Sequence, residues 1–301
     1  MKVLVTGASG LIGTAVTDAL RARGDEPVAL SRSGHGADAL SWDPARGELD
    51  AGALEGLDAV VHLAGEGIAE RRWTEDQKRV ILESRTGGTS LLASTLARLA
   101  VPPKVFVSGS AIGYYGDRGD EELTEQSKPG DGFLADVVAQ WERAATTAES
   151  AGIRTVRIRT GIVLARHGGA LASLLTPFKL GLGGRTGPGT QWMSWITLGD
   201  EVGAILHAID HEAIAGPVNL TAPNPVTNRE FTHTLGRALH RPAVLPTPLL
   251  PLKLRFGDEL VRELLLFSQR VRSDKLRDSG YRFRHPTLRD GLGAALDERS
   301  G

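Results

Sequence analysis

The residues best suited to chemistry lie at the start of the chain, where Gly7-Ala8-Ser9-Gly10-Leu11-Ile12-Gly13 sets three glycines in the spacing G-x-x-G-x-x-G. Lys2 to Thr6 before them reads as a strand, and Leu11, Ile12, Ala15, Val16, Ala19 and Leu20 after them recur at helical spacing until Gly24. Between a strand and a helix, backbone N–H groups and the positive helix end can hold a diphosphate. Thr6, Gly7, Ser9, Gly10, Leu11, Ile12 and Gly13 are therefore a candidate dinucleotide-binding turn; a turn that only lets helix and sheet pack closely is the competing reading. Ser31-Arg32-Ser33 ends the second apolar run, where an acidic residue would face a ribose 2′-hydroxyl. A guanidinium among hydroxyls suits a 2′-phosphate, so Ser31 and Arg32 point to NADP(H) rather than NAD, the alternative being an ordinary surface arginine.

These residues need a scaffold, and the chain supplies strand and helix signals in alternation. Pro27 to Leu30, Ala39 to Trp42, Ala59 to Ala64, Lys104 to Ser108 and Arg154 to Thr160 read as further strands. Thr74-Glu75-Asp76-Gln77 has the form of a capping box, which predicts a helix from there towards Ala100; another is expected from about Leu134 to Ala151. Such alternation means an α/β fold with a doubly wound parallel sheet. From Ala165 glycine-rich turns mark an excursion out of the sheet, and after a last strand at Pro217 to Leu220 the chain is mostly helical. The expected division is a dinucleotide domain of residues 1–165 plus 195–222 and a smaller, mostly helical substrate lobe of residues 166–194 plus 223–301.

Composition narrows the function classes. With 301 residues, 35 Lys and Arg against 36 Asp and Glu, and 41% hydrophobic residues, the chain can bury a large core and carries no bulk charge for nucleic acid. It has no cysteine, which removes disulfides, thiolate metal sites and cysteine nucleophiles. MKVLVTGASG leaves no room for a signal-peptide apolar region, and no apolar run approaches the roughly 20 residues of a membrane span. The expectation is a soluble cytoplasmic protein, monomer or homodimer, with a small-molecule substrate and no nucleic-acid or membrane partner.

TGASGLIG, SRS, HLAGE, SGSAIGYYG and RTGIVL, in that order, resemble the extended short-chain dehydrogenase/reductase superfamily. AGEGIAERRWTEDQK, ESR, the GLGG-R stretch and SWI-x-x-x-D are similar to its atypical epimerase-family branch, over nearly the whole chain. The resemblance implies a Rossmann domain for NADP(H) with a C-terminal lobe closing over the nicotinamide end. Carried over position by position, it implies that Leu63, Ala64, Gly65 and Glu66 pass beside adenosine and diphosphate. Arg85 then resembles a cofactor-contacting arginine and Val163 a nicotinamide-side backbone contact, while Ser108 joins the cofactor set. A buried strand with a turn glycine is the plain reading of the first group, a solvated helix face that of Arg85.

The superfamily's catalytic pair, a tyrosine with a lysine four residues on, is absent. The tyrosines are Tyr114, Tyr115 and Tyr281, followed at that distance by Arg118, Gly119 and His285; aligning Glu142 with the family places Leu134 and Val138 at the two positions. Ser110 matches the catalytic serine or threonine and Tyr115 lies in the loop beyond, so these two are the catalytic candidates. A phenol with pKa about 10 and no cationic neighbour is a poor acid–base group at neutral pH. Arg185, Gln191 and Trp192 either clamp a substrate or belong to a surface loop. Asp200 reads as a helix N-cap, and His207 and His211, four apart, as a solvated face rather than a metal site. The functional expectation is an NADP(H)-dependent oxidoreductase or epimerase-like enzyme acting by hydride transfer on a small carbonyl, alcohol or sugar-nucleotide-like substrate, with a non-catalytic NADP(H) sensor or scaffold as the alternative.

Overall fold

Val3, Leu4 and Val5 are fully buried, as a strand must be when helices cover both faces of its sheet. The computed structural model describes residues 1–32 and 39–297. Eight strands form the main sheet: β1 (Lys2–Thr6), β2 (Glu26–Ser31), β3 (Leu40–Asp43), β4 (Glu48–Leu49), β5 (Ala59–His62), β6 (Val105–Ala111), β7 (Arg154–Thr160) and β8 (Gly216–Leu220). Their order is β8-β7-β6-β5-β1-β2-β3-β4, all pairs parallel except β3 with β4. This is the doubly wound sheet expected from the alternation. The chain winds from β1 to β2 and β3 in one direction and returns to β5, β6 and β7 in the other. The crevice beyond the carboxyl ends of β1 and β5 is thus the topological switch point where such sheets bind ligands.

Helices α1 (Leu11–Ala22), α2 (Glu75–Leu96), α3 (Phe133–Ala144), α4 (Gly169–Lys179), α5 (Leu198–Asp210), α6 (Asn228–Ala238), α7 (Leu249–Phe256) and α8 (Leu288–Asp297) are the main helices. Val5, Val61, Val107 and Ile158 point from alternate strand positions to the face where Val16, Leu20 and Ile205 pack; Leu4, Val60 and Phe106 point to the other, against Leu92 and Leu96. Thr74 caps α2 as its sequence predicts, accepting from the Gln77 N–H at 3.2 Å. The helix expected over 134–151 divides instead: α3 ends at Ala144, where the Ala145 N–H turns back to the Glu142 carbonyl, and a second helix spans Thr146–Ser150. α4, α6 and α8 share a further core built on Leu171, Trp195, Phe231, Leu235 and Leu292. No helix among the described residues is long and apolar enough to cross a membrane.

Candidate functional site

Gly7 turns the chain from β1 into α1 with φ of +67°, a left-handed conformation that favours glycine. A Cβ there would lie 2.9 Å from the Leu63 carbonyl carbon, and one on Gly13 would lie 2.1 Å from the Gly7 oxygen. The two glycines are therefore required for α1 to start so close to the sheet. Thr14 donates its hydroxyl to the Ala8 carbonyl at 3.0 Å and steadies the loop, on which Ser9 is exposed. No side chain caps α1 and its first turn holds no acidic residue. Its leading N–H groups, from Leu11, Ile12 and Gly13, are left for an anion, and the helix dipole favours one.

Thr6 is fully buried, and its hydroxyl accepts from the N–H groups of Leu63 and Ala64 at 3.1 Å each. That splice fixes the tip of β5 against the tip of β1, so Thr6 shapes the crevice rather than lining it. The same hydroxyl pairs with His62 Nδ1 at 2.7 Å; His62 Nε2 pairs with Thr89 at 2.9 Å, and Trp141 donates to Thr89 at 2.9 Å. Burial drives the His62 pKa down to about 4, so the imidazole is neutral and serves as a structural relay between β1 and α2. Gly65 is exposed beyond β5, with the Arg85 guanidinium 3.3 Å from where its Cβ would be. Arg85 lies across the Trp141 ring at 5.2 Å and donates to the Ile81 carbonyl. Burial lowers its pKa to about 10, only partly countered by Glu66. A cation so desolvated and thinly paired gains from an added anion.

Arg32 is exposed just past β2, on the opposite flank of the glycine turn from β5, with Ser31 half-buried before it. Ser33 lies outside the described residues. Val163, half-buried, pairs with Ile196 in the short parallel ladder Ile162–Leu164 with Trp195–Thr197. Ser108 is fully buried in β6, its hydroxyl directed to the Gly109 carbonyl.

The two catalytic candidates meet in one buried network. Ser110 donates to Glu142 at 2.6 Å; Arg159 clamps both Glu142 oxygens, at 2.7 and 2.8 Å, and donates to the Tyr115 hydroxyl at 3.0 Å; Tyr115 donates to Asn219 at 2.6 Å. Tyr115 exposes no surface. Burial pushes its pKa up to about 12, against the opposing pull of Arg159. For Arg159, burial works to lower the pKa, and its bonds to Glu142 and Tyr115 outweigh it, so the charge is secured. The phenol expected without a cationic neighbour has one in Arg159, yet it is enclosed and protonated. Tyr115→Phe is therefore expected to cost about 1–3 kcal/mol in urea unfolding, from the stranded Asn219 and Arg159 groups, and to leave nucleotide binding unchanged.

Leu134 and Val138, which the resemblance sets at the superfamily's tyrosine and lysine positions, pack near Gly113. Several expectations change. Thr197, not Asp200, caps α5, accepting from the Asp200 N–H at 3.1 Å. Asp200 instead accepts from the Arg284 and His285 N–H groups at 2.8 and 3.0 Å and fastens the C-terminal segment. Arg185 folds back onto the Gly187 carbonyl and braces its own loop, while Gln191 donates to the Thr186 and Leu265 carbonyls at 3.1 and 2.8 Å and ties that loop to the Leu265 segment. His207 bonds Ser279 at 2.9 Å.

Residues 3–220 match the model of the NAD dependent epimerase/dehydratase family. The chain belongs to that family. Residues 247–295 match a domain of unknown function, DUF1731. An epimerase family protein of Mycobacterium leprae is 41% identical over 99% of this chain and 96% of its own length. Human epimerase family protein SDR39U1 is 40% identical over 99% of both chains. The crystal structure of human SDR39U1 isoform 2 with NADPH aligns with a TM-score of 0.90 at 38% identity, covering 99% of this chain and 100% of that one. A nucleoside-diphosphate sugar epimerase from Corynebacterium glutamicum aligns with a TM-score of 0.81 at 36% identity, over 98% of this chain and 58% of that one.

Arg159, Glu142 and Asn219 escaped the sequence reading as a site, although one signal was present. Arg157 and Arg159 flank Ile158 in the strand Arg154–Thr160, which lies inside the sheet, and a charge buried there must find a partner.

Proposed function

We propose that this epimerase-family chain binds NADP(H) across the carboxyl ends of β1, β2 and β5 and works as a hydride-transferring oxidoreductase or epimerase-like enzyme. The observation that carries this reading is the uncapped start of α1, with a glycine-only approach, flanked by Arg32 where an NAD site would hold an acid. Gly7 to Gly13 would cradle the diphosphate, Arg32 with Ser31 the 2′-phosphate, and Leu63 to Glu66 the adenosine side. Arg85 would supply a cation under the crevice, and Val163 a backbone contact at the nicotinamide end. The NADPH in the human relative's structure, at 38% identity, supports the same choice.

Bound there, the cofactor supplies a nicotinamide C4 that gives or takes a hydride from a small carbonyl, alcohol or sugar-nucleotide-like substrate. This chain's residues hold and orient the reactants, and α3 presents Leu134 and Val138 where a proton donor pair is customary. Ser110 commits its hydrogen to Glu142 at 2.6 Å, which leaves its oxygen free only to accept. A substrate hydroxyl suits that oxygen better than a carbonyl does. The same commitments favour a second reading, a non-catalytic NADP(H) sensor or scaffold, since neither Ser110 nor Tyr115 is poised as a proton carrier.

Calorimetric titration tests the first step. NADPH is expected to bind the wild type at least about tenfold more tightly than NADH, with that preference lost in Arg32→Ala, about 1.4 kcal/mol or more for one charge-assisted phosphate contact. Equal affinities for NADPH and NADH would overturn it. NADPH oxidation with a carbonyl or sugar-nucleotide substrate then separates the enzyme from the sensor.

A further inference from the structure

Glu201, in the first turn of α5, is fully buried, and its surroundings do not neutralise it. One carboxyl oxygen accepts from the Thr160 hydroxyl at 2.7 Å; the other, Oε2, has no hydrogen-bond partner. Isolated buried carboxylates are costly, and structures keep them where the charge or the proton is used. Thr160 is the last residue of β7, half-buried at the sheet's carboxyl end.

The sheet order says which part of a bound dinucleotide reaches that end. Arg32 follows β2, on one side of the glycine turn, while β5, β6 and β7 succeed one another on the other. With the 2′-phosphate of the adenosine half at Arg32, the nicotinamide half must run over β5 towards β7. Strands about 4.8 Å apart set β7 roughly 14 Å from β1, within a dinucleotide's reach. Thr160 and Val163 thus bound the nicotinamide end, and Glu201 stands behind Thr160.

We infer that Glu201 and Thr160 form a proton site that distinguishes oxidised from reduced cofactor: the carboxyl is neutral beside the reduced, uncharged ring and ionised beside the oxidised, cationic one, its proton leaving to solvent. The inference rests on the proposed NADP(H) reading. Burial raises the Glu201 pKa to about 8, the Thr160 hydroxyl pulling the other way, so the carboxyl can change state near neutrality. Tyr281 is the titratable neighbour that feels it, the Glu201 charge helping to raise the Tyr281 pKa. On its own helix Asp200 is held by Tyr281 and by the Arg284 and His285 N–H groups, with the His285 ring 3.5 Å from Asp200.

A cation near the carboxyl favours its ionised form, so NADP⁺ binding should strengthen as pH rises through the Glu201 range while NADPH binding lacks that component. The 2′-phosphate is common to both nucleotides and cancels in the ratio of their affinities. Calorimetric titrations of NADP⁺ and NADPH between about pH 6 and pH 10 should therefore show the ratio moving about tenfold towards NADP⁺ in the wild type, a one-unit lowering of the carboxyl pKa. Glu201→Gln should flatten it. Infrared difference spectra between the two complexes, recorded between about pH 7 and pH 8, should show a protonated carboxyl band weakened on oxidation, absent from the variant. Thr160→Val, which leaves the carboxyl in place, should keep the band but alter its frequency. A pH-independent ratio in the wild type, or an unchanged slope in Glu201→Gln, would overturn the inference while the NADP(H) reading stands. Failure of both nucleotides to bind would remove both.

Discussion

Glu142→Gln is expected to destabilise the protein by about 3–5 kcal/mol, among the largest effects a single substitution can have here. Arg159 is 2% exposed and gives three of its hydrogen bonds to Glu142 and Tyr115, two of them to the carboxylate. A neutral amide leaves that guanidinium buried without a counter-charge, and gives the Ser110 hydroxyl a weaker acceptor. The cost arises from the stranded charge rather than from the lost attraction, so the double variant Glu142→Leu, Arg159→Met should recover most of it. Urea unfolding of the three proteins checks this. A loss below about 1 kcal/mol for Glu142→Gln would show that the pair is solvated and that Ser110 is not held as described.

Gly13→Val is the second substitution with a large expected effect. Even a single Cβ would approach the Gly7 oxygen to 2.1 Å, a backbone contact that no rotamer relieves. The helix must then withdraw from the loop, at a cost of about 1–3 kcal/mol for overpacking, and the leading N–H groups of α1 leave the position where they converge on an anion. NADPH affinity should fall by at least about a hundredfold, some 2.7 kcal/mol or more, measured by calorimetry at a temperature where circular dichroism shows the variant folded. Unchanged affinity in a folded variant would place the nucleotide elsewhere.

These expectations differ in how far they could be read from the amino acids. The glycine turn was legible because its chemistry is local: strand, turn and helix lie within 22 residues, and the steric demands on Gly7 and Gly13 act inside that segment. The doubly wound parallel sheet was legible for a related reason, since alternating buried strands and helices admit few windings; the order of its strands was not read. Arg159 and Glu142 are 17 residues apart on a strand and a helix, Tyr115 and Asn219 are 104 apart, and no spacing rule joins such partners. Asp200 illustrates the same limit in a helix start. Its type and position suit a cap, but Thr197 stands three residues earlier, and the Asp200 carboxylate is taken by N–H groups 84 and 85 residues away. The break after α3 and the fully buried Glu201 likewise depend on what the tertiary fold places against them.

The central claim is that the crevice between Arg32 and the start of α1 binds NADP(H), and a crystal structure of this chain grown with NADPH tests it most directly. The expected density sets the diphosphate on the N–H groups of Leu11 and Ile12, the 2′-phosphate within hydrogen-bond distance of Arg32, and the nicotinamide over the ends of β6 and β7 near Thr160. Density for the nucleotide elsewhere, or a 2′-phosphate turned away from Arg32 into solvent, would contradict it.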